Sequence, residues 1–314
     1  MPAAPRPAHD PAPDLDVIVV AYGPATALEG ALAALGGAHP VVVVDNASAP
    51  ETARVAERAG ARYVDPGRNT GFAAGVNTAL EHLRGDGRDV LLLNPDARIG
   101  TEDLDRLHAR LHADPGLACA APALREPGTG RPGRSCWPWH TPVGAWAEAV
   151  GLARRRLDSR RYFVGGAVLL MRRAALEDVG GLDERFFLYS EDEDWQRRAV
   201  GRGWRVLHCP DIVADHGGGG TETDARRLRL RLHAAIEVYV RKWYGAPGWA
   251  VYRAGTLAGL ALRAVSPRPA RRRSARRLAR IYLAGPARAA RSAGAVPPLP
   301  SRPDRGTPGW DEPG

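Results

Sequence analysis

A run of four valines, Val41 to Val44, ends abruptly in Asp45-Asn46, and this constrains the fold more than any other segment. A strand with one wet face alternates apolar and polar residues, whereas an unbroken β-branched run must be covered on both faces. Strands of that kind belong to parallel sheets held between helices. Asp16 to Ala21, Ala61 to Val64, Val90 to Leu93 and Ala118 to Ala121 are further short apolar runs. Helical patterns separate them, from Ala25 to Leu35, Gly71 to Leu83 and Thr101 to Ala113, and Ser48 with Glu51 has capping-box spacing for one more. The alternation predicts βαβ units and a mostly parallel central sheet flanked by helices.

In such sheets ligands bind beyond the carboxyl ends of the strands. Tyr22, Asp45-Asn46 and Asn94-Pro95-Asp96 each follow an apolar run directly and therefore fall where a ligand would sit. Pro122 to Arg161 carries Pro, Gly, Trp137, Trp139 and Trp146 and reads as a loop with a short helix. Order resumes at Val164 to Met171, a helix follows to Val179, and Phe186 to Tyr189 leads into the acidic cluster Glu191-Asp192-Glu193-Asp194. No internal repeat is present.

The 314 residues suffice for one large α/β domain or two modest ones, with 44% hydrophobic and 25% charged residues. The formal net charge of +9 is concentrated. Arg226 to Arg291 holds seventeen basic residues against one acidic residue, Glu237, so the remainder is mildly acidic. The preference for Arg over Lys, with abundant Ala, Gly and Pro, reads as the mark of a GC-rich genome. Cys119, Cys136 and Cys209 have no C-x-x-C spacing and suit a reducing compartment. Met1 to Pro13 lacks the basic start and apolar core of a signal peptide and reads as a disordered leader. No apolar run approaches the roughly twenty residues that span a bilayer.

Several groups carry chemistry. Asp45 either accepts hydrogen bonds from a base or ribose, or ends its strand and starts the next helix. Arg68 to Asn77 places glycines and Arg68 at a helix start, where free amides favour an anion or polar ligand; Asn77 reads as a brace for a neighbouring loop. Asn94-Pro95-Asp96 is either a plain turn or half of a hard-cation site completed by diphosphate and water. Four consecutive acids repel one another, which raises carboxyl pKa values and suits a general base. Asp194 and Arg198 stand at i, i+4 and are expected to pair, leaving Asp192 as the base. His216 precedes a glycine-rich stretch and is either structural or a ligand.

Taken in order, Asp16 to Val20, Val41 to Ser48, Gly67 to Asn77, Leu91 to Asp96 and Gly165 to His216 resemble the family 2 glycosyltransferases of GT-A fold, especially bacterial rhamnosyltransferase-like members. The resemblance covers residues 15 to about 220. It implies that Asp45 contacts the nucleotide, that Asp96 binds a divalent cation (Mg²⁺ or Mn²⁺) as the last residue of a DxD-type motif, and that Asp192 is the base of an E-D-x-D-x-x-x-R pattern. His216 falls where related transferases supply a metal-binding His. Asn94 departs from the first Asp of DxD. On this reading Tyr22, Asp45, Asn46, Arg68, Asn69, Gly71 and Asn94 bind the nucleotide diphosphate sugar, while Glu191, Trp195 and Gly166 position acceptor or donor.

The expected organisation is a leader at 1–14, a catalytic domain at 15–225 divided at 121/122, a basic helical extension at 226–292 and a disordered tail at 293–314. Trp243, Tyr244, Trp249 and Tyr252 stand beside arginines in that extension. They suggest peripheral contact with an anionic membrane at the cytoplasmic face, consistent with a glycan or lipid-linked acceptor. No nucleic-acid motif accompanies the charge, so nucleic acid is not expected as a partner. A dinucleotide oxidoreductase would need G-x-G-x-x-G after the first strand, and Ala21 to Thr26 lacks it. The remaining alternatives are another donor, such as UDP-galactofuranose, and an inactive sugar-nucleotide-binding scaffold.

Overall fold

A computed structural model of the chain describes residues 15–83, 87–152, 162–217 and 224–297. The expected leader and residues 298–314 of the expected tail lie outside this set. The first half runs β1 (Leu15–Ala21), α1 (Ala25–Ala34), β2 (Val41–Asp45), α2 (Pro50–Arg58), β3 (Arg62–Val64), α3 (Phe72–Glu81), β4 (Asp89–Leu93), β5 (Ala97–Arg98), α4 (Thr101–His112) and β6 (Leu117–Arg125). Then come β7 (Cys136–Pro138), α5 (Pro142–Ala149), β8 (Tyr162–Val164), β9 (Val168–Met171), α6 (Arg173–Val179), α7 (Glu191–Gly201) and β10 (Arg205–His216). Helices α8 (Ala225–Ala264), α9 (Pro269–Ala284) and α10 (Pro286–Ser292) complete the order.

Eight strands form one sheet in the order β3-β2-β1-β4-β9-β6-β10-β5, and β7 pairs with β8 apart from it. The valine run behaves as its composition requires. Val43 faces one apolar layer with Val17, Val19, Leu91 and Leu93, while Val42 and Val44 face the other with Ile18, Val20 and Leu92. Helices α1, α2 and α4 cover the first face; α3, α6 and α7 cover the second. Strands β1 to β4 are parallel, but β9 enters antiparallel between β4 and β6. That reversal sets the start of β9 beside the end of β4, Leu93 opposite Val168.

Local differences from the sequence reading have physical causes. The Ser48–Glu51 capping box does not form: Ser48 lies at φ 50 and donates to Asp65, while Asp45 caps the turn before α2 by accepting from the Ala47 and Ala49 amides. Val164 to Met171 is two strands in different sheets, because the chain turns at Gly166-Ala167. Strand β10 is long, continuing through Pro210 by a register shift between Cys209 and Val213. Two residues of the expected tail are packed: Ala295 is buried with Val296 against it, and the Ala295 carbonyl accepts from Arg231.

The largest difference concerns the aromatic residues of the extension. Helix α8 bends at Gly245, φ 64, two residues before Pro247, and folds back over the domain. Trp249 and Tyr252 are buried at 3% and 8% exposure and form a third core with Tyr239, Phe186 and Tyr282. Trp243 and Tyr244 are half-buried beneath the Arg197 guanidinium. None of the four is exposed. No helix among the described residues is long and apolar enough to cross a membrane.

Candidate active site

The site forms where β1, β2 and β4 end, β9 begins and β10 ends. The Asn94 amide donates to the Ala167 carbonyl at 2.9 Å, and the adjoining Gly166 amide donates to Asp192 Oδ2 at 2.8 Å. Asn94-Pro95-Asp96 is thus linked to Asp192 by two hydrogen bonds through a short stretch of β9 approach. At the other side, His216 pairs in register with Ala97, which carries its ring to Asp96. His216 Nε2 lies 3.3 Å from Asp96 Oδ1 and 3.4 Å from Asn94 Nδ2. Asp96 and His216, 120 residues apart in the chain, are thus within 3.3 Å of each other, and Asp192 is tied to the same strand end through the Gly166 and Asn94 amides.

The donor chemistry of Asp96 and His216 fits a divalent cation. One ring nitrogen faces an amide donor and a carboxylate acceptor together, and a neutral imidazole nitrogen can satisfy only one of them. A cation between the ring and the carboxylate would resolve the conflict, with diphosphate oxygens filling the rest of its shell. Tyr22 lines a shallow cleft with Gly23, Thr52 and Pro95 beside this pair.

The acidic cluster divides into four separate roles. Its helix starts from two consecutive left-handed residues, Tyr189 at φ 74 and Ser190 at φ 65, a conformation that non-glycine residues adopt only when surroundings enforce it. Asp194, fully buried, accepts from Arg198 Nε at 3.0 Å, Trp243 Nε1 at 2.9 Å and Lys242 Nζ at 2.6 Å. The expected Asp194–Arg198 pair is therefore present. Glu193, also fully buried, binds the His140 amide at 2.8 Å and ring at 2.7 Å, fixing the approach to α5. Glu191 is buried, and its Oε2 has no hydrogen-bond partner. Burial, and then the charge of Asp192, raise the Glu191 pKa well above the ordinary range. Asp192 alone keeps partial exposure. Burial pushes its carboxyl up to about 6 against the pull of hydrogen bonds from the Glu193 and Gly166 amides. A carboxylate poised there is ionised at neutral pH and basic enough to take a proton.

Gly166 is where backbone must approach a carboxylate closely: an added Cβ would lie 3.3 Å from Asp192 Cβ and Oδ2. Gly71 is stricter. It sits at φ 88, and a Cβ there would lie 2.4 Å from the Phe187 carbonyl oxygen.

Several residues expected to touch a ligand serve the fold instead. Asp45 is fully buried, with Oδ1 taken by the Ala47 amide and Oδ2 by the Ala49 amide and the Tyr63 hydroxyl. Contact with a nucleotide would require it to exchange one of these partners. Asn46 braces the next loop, accepting from the Thr70 amide and hydroxyl and donating to the Gly71 carbonyl. The amides near the start of α3 are not free for an anion, since Gly71 donates to Asn69 Oδ1 and Phe72 to the Phe187 carbonyl. Arg68 remains exposed. Trp195 is fully buried, and its indole donates to the Gly180 carbonyl, so it is core rather than a substrate contact. Asn77 braces Leu182 through both its amide atoms, as its position suggested.

Lys242 was not singled out in the sequence, although it is the chain's single lysine among 44 basic residues. It bridges Asp183 at 2.7 Å and Asp194 at 2.6 Å. A compact ammonium fits between two carboxylates where a planar guanidinium would not, and that rarity was the available signal.

The fold, a mostly parallel sheet between two layers of helices with β9 reversed within it, is that of the GT-A class of sugar transferases. Structural comparison agrees. A mannosyltransferase of Pyrobaculum calidifontis, solved with GDP-Man and Mn²⁺, superposes with a TM-score of 0.56 at 20% identity over 93% of this chain and 86% of that one. Glucosyl-3-phosphoglycerate synthase of Mycobacterium tuberculosis superposes at 0.51, with 15% identity over 74% and 85%. A model of the family described as Glycosyltransferase like family 2 matches residues 12–235, and the chain belongs to that family. It is similar to the N-acetylglucosaminyl-diphospho-decaprenol L-rhamnosyltransferase of Mycobacterium tuberculosis, 30% identical over 74% of this chain and 87% of the relative. It is also similar to a low-salt glycan biosynthesis hexosyltransferase of Haloferax volcanii, 25% identical over 72% of each chain.

Proposed function

We propose that the protein is an inverting, cation-dependent hexosyltransferase that moves a sugar from a nucleotide diphosphate to a hydroxyl of a cell-wall, polysaccharide or lipid-linked glycan. The observation that supports this reading is the Asn94–Ala167 and Gly166–Asp192 pair of hydrogen bonds, which ties the candidate base to the strand end that carries the candidate cation ligands. L-Rhamnose from dTDP-rhamnose is the favoured donor, supported by the name of the mycobacterial relative; UDP-galactofuranose is the alternative. An inactive scaffold would have no need of Asp96 and Asp192 on a common edge.

In this mechanism Asp192 takes the proton of the acceptor hydroxyl. The freed oxygen forms a bond to the anomeric carbon as the bond to the diphosphate oxygen breaks on the opposite face, and one displacement inverts the centre. Asp96 and His216 would hold a divalent cation, which neutralises the charge gathering on the departing diphosphate. Gly166 positions the base through its amide. Tyr22 and Asn94 are the nucleotide-sugar contacts this geometry supports best.

A screen of dTDP-, UDP- and GDP-sugars with and without Mn²⁺ tests the reading. It should find one donor bound and transferred only with the cation, and NMR of the product should show the anomeric configuration opposite to the donor's. Retained configuration, or transfer indifferent to chelation, would contradict it.

The reading extends to a membrane-apposed acceptor, through a different surface from the aromatic residues. Helix α5 runs beside the second half of α8, with Trp146 against Gly255 and Ala149 against Gly259. Outward from this seam Trp146, Val150, Leu152, Leu262 and Val265 are exposed, the last at 81%. Arg268, in the turn that follows, and Arg271 and Arg272, in the first turn of α9, are exposed. Apolar side chains edged by arginine match an anionic bilayer surface at the cytoplasmic face. Leu262→Asp with Val265→Asp is expected to abolish sedimentation with phosphatidylglycerol vesicles while leaving the melting temperature unchanged. Equal binding of wild type to neutral and anionic vesicles, or none to either, would contradict this surface.

A further inference from the structure

Asp89, His108 and His112 meet at the opposite end of β4 from the candidate active site. Five residues of strand separate Asp89 from Asn94, about 17 Å at the usual rise. Asp89 opens β4 and is 5% exposed. His108 and His112 stand at i, i+4 on α4, so both rings lie on one face of the helix. Their Nε2 atoms lie 3.2 Å and 2.6 Å from the same carboxylate oxygen, Asp89 Oδ2. The other oxygen, Oδ1, accepts from the Arg173 amide at 2.9 Å.

We propose that these three side chains form a binding site for a borderline transition-metal cation, with Zn²⁺ as its type, separate from the cation site at Asp96. Four features support the assignment. The donor set of two imidazoles and one carboxylate is one that Zn²⁺ takes up when a fourth position is left to water. The three ligand atoms already lie within 4.8 Å of one another, while a tetrahedron with bonds of about 2.0–2.1 Å sets its ligand atoms about 3.4 Å apart. His112 has 48% of its side chain exposed, so it can swing to widen the short contact and leaves an open approach for the ion and its water. The Arg173 amide locks the carboxylate's orientation as an outer-shell partner does.

The position on the helix adds a fifth. Both histidines lie in the last turns of α4, where unpaired carbonyls make the local potential negative and favour a cation. Without an ion, two ring N–H groups converge on a single oxygen, more donors than docking α4 against β4 requires. An ion would replace both protons, one on each ring, and tie α4 to the starts of β4 and α6.

The proposal does not depend on the transferase reading, and its test uses no sugar substrate. The full-length protein, cleared of metal with a chelator and dialysed, is titrated with Zn²⁺ alone by calorimetry and followed by thermal unfolding. One equivalent should bind and raise the melting temperature. His112→Gln should lower the affinity by at least the ~10–100-fold that loss of an outer-shell partner causes, and His108→Gln should do the same. Asp96→Ala should leave this Zn²⁺ event intact, which separates the site from the candidate active centre. Half-exposed His112 can be changed without emptying the core, so the variant's folding is checked by its melting curve in the absence of metal. Undiminished Zn²⁺ binding in the His108→Gln/His112→Gln double variant, or no binding by the wild type, would overturn the proposal.

Discussion

Asp192→Asn is expected to lower turnover by about 10²–10⁴-fold, the usual contribution of a positioned general base, with nucleotide-sugar binding unchanged. Asn keeps the shape and can accept from the Gly166 amide, but it gives up the acceptor of the Glu193 amide and cannot take a proton. The pH dependence of the wild type follows from the same group. Its carboxyl is raised to about 6, chiefly by burial, so the rate should fall as pH drops through that value, and the variant's residual rate should lose this acid limb. Stability moves in the opposite sense. A carboxyl raised above its unfolded value makes ionisation unfavourable in the folded state, so stability is lost as pH rises from about 4 to about 6. At roughly 1.4 kcal/mol per unit, the shift corresponds to up to about 3 kcal/mol. Asp192→Asn should therefore melt higher than wild type above pH 7 and match it near pH 4. A variant with full turnover, or one that keeps the acid limb near pH 6, would reject Asp192 as the base.

Asp194→Ala, two positions beyond Asp192 on the same helix, should act through the fold. Its carboxylate is fully buried and gathers Arg198, Lys242 and Trp243, the last two from α8. Removing one partner of a buried ion network leaves uncompensated charge and typically costs about 3–5 kcal/mol. Denaturant unfolding should show that loss, and limited proteolysis should cut first in the extension, because α7 and α8 lose their main polar tie. Lys242→Arg should fall in the same direction, since a guanidinium does not fit between Asp183 and Asp194 at the observed 2.7 Å and 2.6 Å. A loss below about 1 kcal/mol for Asp194→Ala would mean that solvent or rearranged partners satisfy Arg198 and Lys242.

These two carboxylates show what could be read in the sequence and what could not. Periodicity and unbroken apolar runs located β1, β2, β4 and their helices, because burial on both faces leaves a direct mark on composition. The i, i+4 spacing found the Asp194–Arg198 pair and thereby pointed to Asp192. Spacing along a chain says nothing about occupancy, however. Asp45 and Asn46 stand at a strand end, where a ligand would sit, yet their polar atoms are engaged by neighbouring loops. Trp195 stands one position beyond the acids and turns into the core. The aromatic residues of α8 could not be assigned to an interior or a membrane until the Gly245 bend was known, because either setting uses the same residue types. Asp89, His108 and His112 escaped for a similar reason: the helix pair is visible as H-x-x-x-H, but the carboxylate reaches it only through the sheet.

In the proposed mechanism Asp96 and Asp192 serve one bound diphosphate in different ways. Calorimetric titration with dTDP, or the diphosphate of whichever donor the screen selects, measures this directly in the presence and absence of Mn²⁺. The wild type and Asp192→Asn should bind it equally well and only with the cation, whereas Asp96→Ala should lose the cation-dependent binding. Cation-dependent affinity that survives in Asp96→Ala, or that disappears in Asp192→Asn, would place the diphosphate elsewhere and contradict the shared site.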